Sequence, residues 1–238
     1  KMSHLKRLAA PKSWRIGRKE KKFVVKPVPG PHKIEESIPL LLVVRDILGY
    51  AKTSREAKKI INEGKIVVDK KIRRDLKFPV GLMDIIEIPT TNERWIVLLD
   101  GKGKLTLKNI SENSSKYKLC KIVNKTVVKG DSIQLNLHDG RNFLVEKEKD
   151  EYKTKDALLL DLEKNAIKKH LHFREGSFAL ITGGKHKSEI GRIEEIKKTR
   201  SPEPNIVVLS KDNEKFQTVE DYVFVIGEKK IAIPEVAK

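Results

Sequence analysis

The sequence predicts an α+β chain of several small domains: a basic extended arm, a compact helix-and-strand module, a β-rich middle and a small C-terminal barrel. Three observations carry this reading. Cationic residues crowd the first 26 positions, one helix-period segment is followed by short strands up to about residue 90, and from Trp95 onward the apolar period falls to two. The boundaries implied are 1–37 for the arm, 38–90 for the helical module, 91–174 for the middle, 175–228 for the barrel and 229–238 for a tail.

The arm, Lys1 to Lys26, holds ten basic residues against one acidic residue, Glu20, a net of +9. That is half of the chain's formal +18 in about a ninth of its 238 residues. Its prolines and few apolar residues predict a segment that is disordered alone and orders against a partner. Lys6, Arg7, Lys12, Arg15 and Arg18 are the candidate phosphate contacts. Trp14 and Phe23, interleaved with the charges, suit an arm inserted between nucleic-acid helices.

After the turn-rich Pro29-Gly30-Pro31-His32, the run Ile38 to Tyr50 reads as a helix apolar on nearly all sides, a pattern only a buried helix tolerates. A second helix opens at Thr53 or Ser54, both N-cap residue types, and ends at Gly64. At helical spacing Ala57, Ile60 and Ile61 share one face, and Lys52, Arg55, Lys59 and Asn62 share the opposite one, with Lys58 at its edge. Ile66 to Val68 reads as a strand, Asp69 to Lys71 as a turn, and Gly81 to Ile88 as a turn into another strand. A second basic cluster, Lys70 to Arg74, lies between these strands.

The middle segment shows strand patterns at Trp95–Leu99, Lys104–Leu107, Leu119–Val123, Ser132–Leu137, Asn142–Val145 and Ala157–Leu162, with Asp100-Gly101 and Asp139-Gly140 as hairpin turns. The stretch to Phe173 reads as a hairpin turning at Glu163 to Asn165, with one helix over Ala157 to Phe173 as the alternative, since Leu158, Leu162 and Ile167 approach helical spacing. Cys120, the single cysteine, sits in an apolar-alternating run and reads as a buried thiol. In the last segment Phe178 to Ile181 leads into Gly183-Gly184-Lys185-His186-Lys187, then Ile190 to Ile193. Ile206–Leu209, Phe216 and Tyr222–Ile226 supply the remaining strands.

A charge of +18 exceeds what solubility needs and implies an anionic polymer partner, nucleic acid first. With aromatics at 5%, backbone and shape contacts should outweigh base stacking. The amino terminus lacks an apolar signal core, and no run approaches 18 uninterrupted apolar residues. The expectation is a soluble, non-secreted chain with no membrane partner. Gly-Gly-Lys fails the phosphate-loop pattern because His186 follows Lys185. His138-Asp139 reads as polar turn residues, and His170 with His172, two apart, as the solvated face of a strand in place of a metal pair. No catalytic site, cofactor or small-molecule substrate is expected.

The residues Thr53-Ser54-Arg55-Glu56-Ala57, Gly64 to Asp69 and Asp84-Ile85-Ile86 resemble the αL-type RNA-binding domain. That likeness implies RNA contacts at Lys52, Arg55, Lys58, Lys59, Lys71, Arg73 and Arg74. Gly183 to Ile193 resembles the KOW motif of SH3-like barrels, which implies exposed RNA-facing residues at Lys185, His186 and Lys187. Taken with His4-Leu5-Lys6-Arg7, Gly30-Pro31-His32-Lys33, Met83-Asp84 and Tyr117 to Lys121, the order of modules resembles the archaeal and eukaryotic small-subunit ribosomal protein S-four-e family. The chain looks shorter than eukaryotic members, as archaeal forms are. The resemblance implies a non-enzymatic constituent of the cytoplasmic ribosome whose partners are small-subunit ribosomal RNA and neighbouring ribosomal proteins. Two alternatives share parts of the pattern: an RNA-modifying enzyme of pseudouridine-synthase type, although no Arg-Leu-Asp triplet occurs, and a KOW-containing transcription elongation factor.

Overall fold

The computed structural model describes residues 4–128, 130–147, 150–211 and 214–237. The chain divides into two compact units, one over 1–100 and 104–116, the other over 101–103 and 117–238. It is mostly β with few helices, which corrects the expected α+β balance.

In the first unit a two-residue ribbon pairs β1 (Leu5–Lys6) with β2 (Phe23–Val24). β3 (Ser37–Pro39) pairs with a later strand, and α1 (Leu40–Leu42) runs directly into a π-helical turn, Val43–Ile47, that stops before Gly49 at φ 73°. The predicted helix from Ile38 to Tyr50 is therefore shorter and broken in type. Ile38 and Pro39 are extended, and Leu48 donates its N–H back five residues, to Val43. Leu40 to Val44 are nonetheless all buried, as five consecutive apolar residues require.

The helix α2 (Ser54–Asn62) carries Ala57 and Ile61 into the same core. β4 (Val67–Val68) and β5 (Lys71–Ile72) form a hairpin whose turn residues Asp69 and Lys70 both have positive φ, the turn expected there. β6 (Pro79–Gly81) pairs with β3, and β7 (Ile85–Ile88), β8 (Glu93–Leu99) and β9 (Leu105–Asn109) extend the hairpin into a sheet of order β5-β4-β7-β8-β9. The sheet thus continues across residue 90. Ile85 to Ile88 and Glu93 to Ile96 pair in register, which joins β8 and β9 to the helical module instead of to the β-rich middle.

A buried pair pins this unit. His32 Nε2 lies 2.9 Å from Asp84 Oδ1, and Asp84 Oδ2 accepts the Gly81 N–H at 2.8 Å. A Cβ at Gly81 would fall 2.3 Å from the His32 ring, so only glycine admits the imidazole.

The arm is not free of this core. Ala10, Trp14 and Val24 belong to the apolar cluster, Trp14 at 1% exposure. The Trp14 indole donates to the Ser37 carbonyl at 2.5 Å, Ser13 Oγ donates to the Glu35 carbonyl, and Leu105 N–H donates to the Ser13 carbonyl. The expectation of disorder fails because three apolar residues, spaced without period, find one packed site despite the charge around them.

The second unit holds two antiparallel sheets. In the first, β10 (Tyr117–Val128), β11 (Ser132–Leu137), β12 (Asn142–Glu146), β13 (Ala157–Asp161) and β14 (Ala166–Leu171) are ordered β12-β11-β10-β13-β14. β10 is more than twice the predicted length and bends at a bulge between Ile122 and Asn124, so that it serves both hairpins. In the second, β15 (Phe178–Ile181), β16 (Ile190–Lys197), β17 (Ile206–Lys211), β18 (Glu214–Val219) and β19 (Val223–Gly227) are ordered β18-β17-β16-β15-β19. Among the described residues no ladder joins β18 to β19, so the sheet is a half-barrel where a small barrel is expected. The turn Glu220–Tyr222 separates those two strands as a 3-10 helix. A short helix α3 (Pro234–Ala237) follows.

Candidate nucleic-acid interface

A cationic surface is built on α2. Its start is fixed by a capping box: Thr53 Oγ1 accepts the Glu56 N–H, and Glu56 Oε2 accepts the N–H groups of Lys52 and Thr53. Those donors, Lys52 first, hold the Glu56 carboxyl below its usual range. The helix's one acidic side chain is therefore turned inward onto its own N-terminus. Lys52, Arg55, Lys58 and Lys59 are all exposed, opposite the buried Ala57 and Ile61.

The β4–β5 hairpin adds to this face. Lys71 and Arg74 are exposed, and Arg74 reaches the end of α2, where a Cβ at Gly64 would lie 3.4 Å from its Nε. Cations there also complement the carbonyl end of the helix dipole. Arg73 is half-buried, its guanidinium 4.3 Å from the centre of the Phe78 ring, a cation–π contact that fixes its direction. Among the described residues, Arg55, Lys58, Lys59, Lys71 and Arg74 have no carboxylate within ion-pair distance, whereas Lys65 and Lys70 are paired with Glu63 and Glu87.

The arm separates into two kinds of residue. Lys6, Lys12 and Arg15 are exposed. Arg7 and Trp14, expected as contacts, are buried: Arg7 donates from Nε to the Gly17 carbonyl and from Nη2 to Glu20, and Trp14 is core. Arg18 donates to the carbonyls of Ala10 and Pro11 at 2.8 Å each, so its charge knits the arm together. Arg7 and Arg18 serve the arm's own conformation because an irregular segment has backbone carbonyls that no ladder satisfies, and Trp14 ties the arm to β3.

In the loop between β15 and β16, Lys185 is exposed, while His186 and Lys187 are half-buried. The His186 ring stacks on Phe216 at 4.6 Å between centroids and lies 3.3 Å from Glu189, which makes it a support of the loop instead of its tip.

Two other polar groups differ from their sequence readings. Asp139 is not a solvated turn residue: it is 4% exposed, 3.0 Å from the fully buried Lys118 Nζ, and paired with Arg141. Burial pushes its carboxyl up, but Lys118, His138 and Arg141 outweigh that and bring it down to about 2. Lys118 offered no signal beyond its place in an apolar run. His170 does not face solvent either. Its Nε2 lies 2.7 Å from Asp156 Oδ2, and the same carboxylate accepts the N–H groups of Lys153 and Phe173.

Three family models match the chain: the RS4NT (NUC023) domain over residues 2–35, the S4 domain over 39–86, and ribosomal family S4e over 91–167. Small ribosomal subunit protein eS4 of Methanocaldococcus jannaschii is 53% identical over 233 residues, 95% of this chain and 94% of that protein. Its counterpart in Methanococcus vannielii is 49% identical over 231 residues, 94% of each. The crystal structure of the 30S ribosomal protein S4e from Thermoplasma acidophilum superposes with a TM-score of 0.71 at 32% identity, over 82% of this chain and 97% of that one. With relatives this similar along nearly its whole length, the chain belongs to the S4e family of small-subunit ribosomal proteins.

Proposed function

We propose that the chain binds small-subunit ribosomal RNA through phosphate and shape contacts and, together with neighbouring ribosomal proteins, holds RNA helices in the cytoplasmic small subunit. The observation that carries this reading is the unpaired set Arg55, Lys58, Lys59, Lys71 and Arg74 on and beside α2. Flexible cations of this kind neutralise phosphates without reading a base, so they position a helix of RNA and do not select a sequence. Lys6, Lys12 and Arg15 of the arm are further contacts, and Lys185 of the C-terminal loop is a separate contact carried by the second unit. The C-terminal sheet is taken as a KOW-type unit on its Gly183-Gly184-Lys185 loop. The enzyme and elongation-factor alternatives give way to the family assignment, which is one of ribosomal proteins.

Crosslinking of the full chain to protein-free small-subunit ribosomal RNA, with the linked peptides mapped, tests the site. Links at 52–59 and 71–74 are expected. Links confined to other segments, or none above those to an unrelated RNA, would remove α2 from the interface.

A further inference from the structure

The register of the β1–β2 ribbon produces an exposed aromatic site that the cationic surface does not explain. Leu5 pairs with Val24 and Lys6 with Phe23. Alternation along so short a ribbon sends Val24 into the core, where Leu5 packs against it, and turns Lys6 and Phe23 outward. Phe23 is 48% exposed. Its ring has no polar group to gain from water, unlike Tyr50 and Tyr222, the other exposed aromatics among the described residues. His4 stands beside it, the two ring centres 5.8 Å apart at 54°, and Lys22 Nζ lies 5.5 Å from the Phe23 centre.

We infer that Phe23 and His4 form a stacking platform for one unpaired nucleobase of the bound RNA. Charge identifies the occupant: Lys22 stands over the ring, Lys6 pairs with Phe23 across the ribbon, Lys19 and Lys21 are exposed just before it in the chain, and Glu20, the arm's acidic residue, is paired with Arg7. An aromatic face within a cluster of lysines matches a base with its phosphates, since every base has a face to stack and each phosphate a charge to neutralise. An apolar protein surface would leave those ammonium groups unpaired. The inference rests on the proposed RNA binding and adds to it a contact of a different physical kind, whose strength does not depend on salt.

Affinity of the full chain for a small-subunit ribosomal RNA transcript, measured over a range of salt, separates the two. Phe23→Leu, which keeps the apolar bulk and removes the ring, should weaken binding about 5- to 150-fold with an unchanged salt slope, and Phe23→Trp should restore it. Circular dichroism of both variants should match the parent, because half of the Phe23 surface is already in water. If the parent binds and Phe23→Leu binds equally well, the platform is refuted and the α2 interface stands. If the parent itself fails to bind, both readings fall. If Phe23→Leu binds bare RNA normally yet enters reconstituted subunits poorly, the ring docks on a protein, and the nucleobase assignment is overturned.

Discussion

The arm and the helix α2 are both dense in cations, yet the arm turns its arginines Arg7 and Arg18 onto its own backbone while α2 keeps its cations outward. In the arm, Arg7 and Arg18 donate to the chain's own carbonyls and Trp14 fills a core position. On α2 the cations stand free, because the helix satisfies its own backbone and the capping box occupies its carboxylate. Charge density in a sequence therefore measures the potential of a segment and not the number of charges it can offer a partner. What decides the difference is whether the backbone is already hydrogen-bonded.

Removing Trp14 should have the largest effect on the arm. If the arm is part of the core, Trp14→Ala should cost about 3–5 kcal/mol in a urea unfolding experiment, since it deletes a fully buried ring and orphans the Ser37 carbonyl. An arm that folds only on RNA would make the substitution nearly neutral. Arg55→Ala, on the exposed face, should stay within about 0.5 kcal/mol of the parent.

Buried charge in the second unit sharpens the contrast. Lys118 is as cationic as Lys58 but is sealed against Asp139, so Lys118→Met should cost about 3 kcal/mol by taking the buried ammonium from a carboxylate left with Arg141 and the Cys120 thiol. The same pair sets a pH dependence. Asp139 ionises at about 2 in the folded chain against an ordinary 3.8, so between these values the unfolded chain binds more protons and stability rises with pH. Its contribution, on the order of 2 kcal/mol, is complete above about pH 4 and lost as pH falls through about 2. Acid titration of the unfolding free energy should show this loss in the parent and not in Asp139→Asn.

The helix α2 and its exposed cationic face were legible in the sequence because their signals are local: an N-cap pair, a helical period and a closing glycine lie within a dozen residues. So was the strand Ser132–Leu137, whose strict alternation matches its burial residue by residue. The burial of Trp14 was not legible. Its partners Ser37, Ala10 and Val24 are scattered, and the surrounding lysines outweigh it in any window average. The same holds for β8 and β9, where period two identified the strands but pairing with β7 decided their sheet. For residues 38–50 composition located the buried segment without fixing its backbone, because a run apolar on every side has no period to read. His170 and Asp139 looked solvated for a related reason, since a buried partner such as Asp156 or Lys118 is visible only once the strands are placed.

If α2 carries phosphate contacts, losing its cations must flatten the dependence of RNA affinity on salt. Each neutralised phosphate contributes roughly 0.7 to 0.9 to the slope of log affinity against log salt. The variant Arg55→Ala, Lys58→Ala, Lys59→Ala should therefore bind small-subunit ribosomal RNA with a slope smaller by about 2 to 3 units, with its circular dichroism unchanged because Ala57 and Ile61 keep the core intact. A folded variant with the parent's slope would contradict the account.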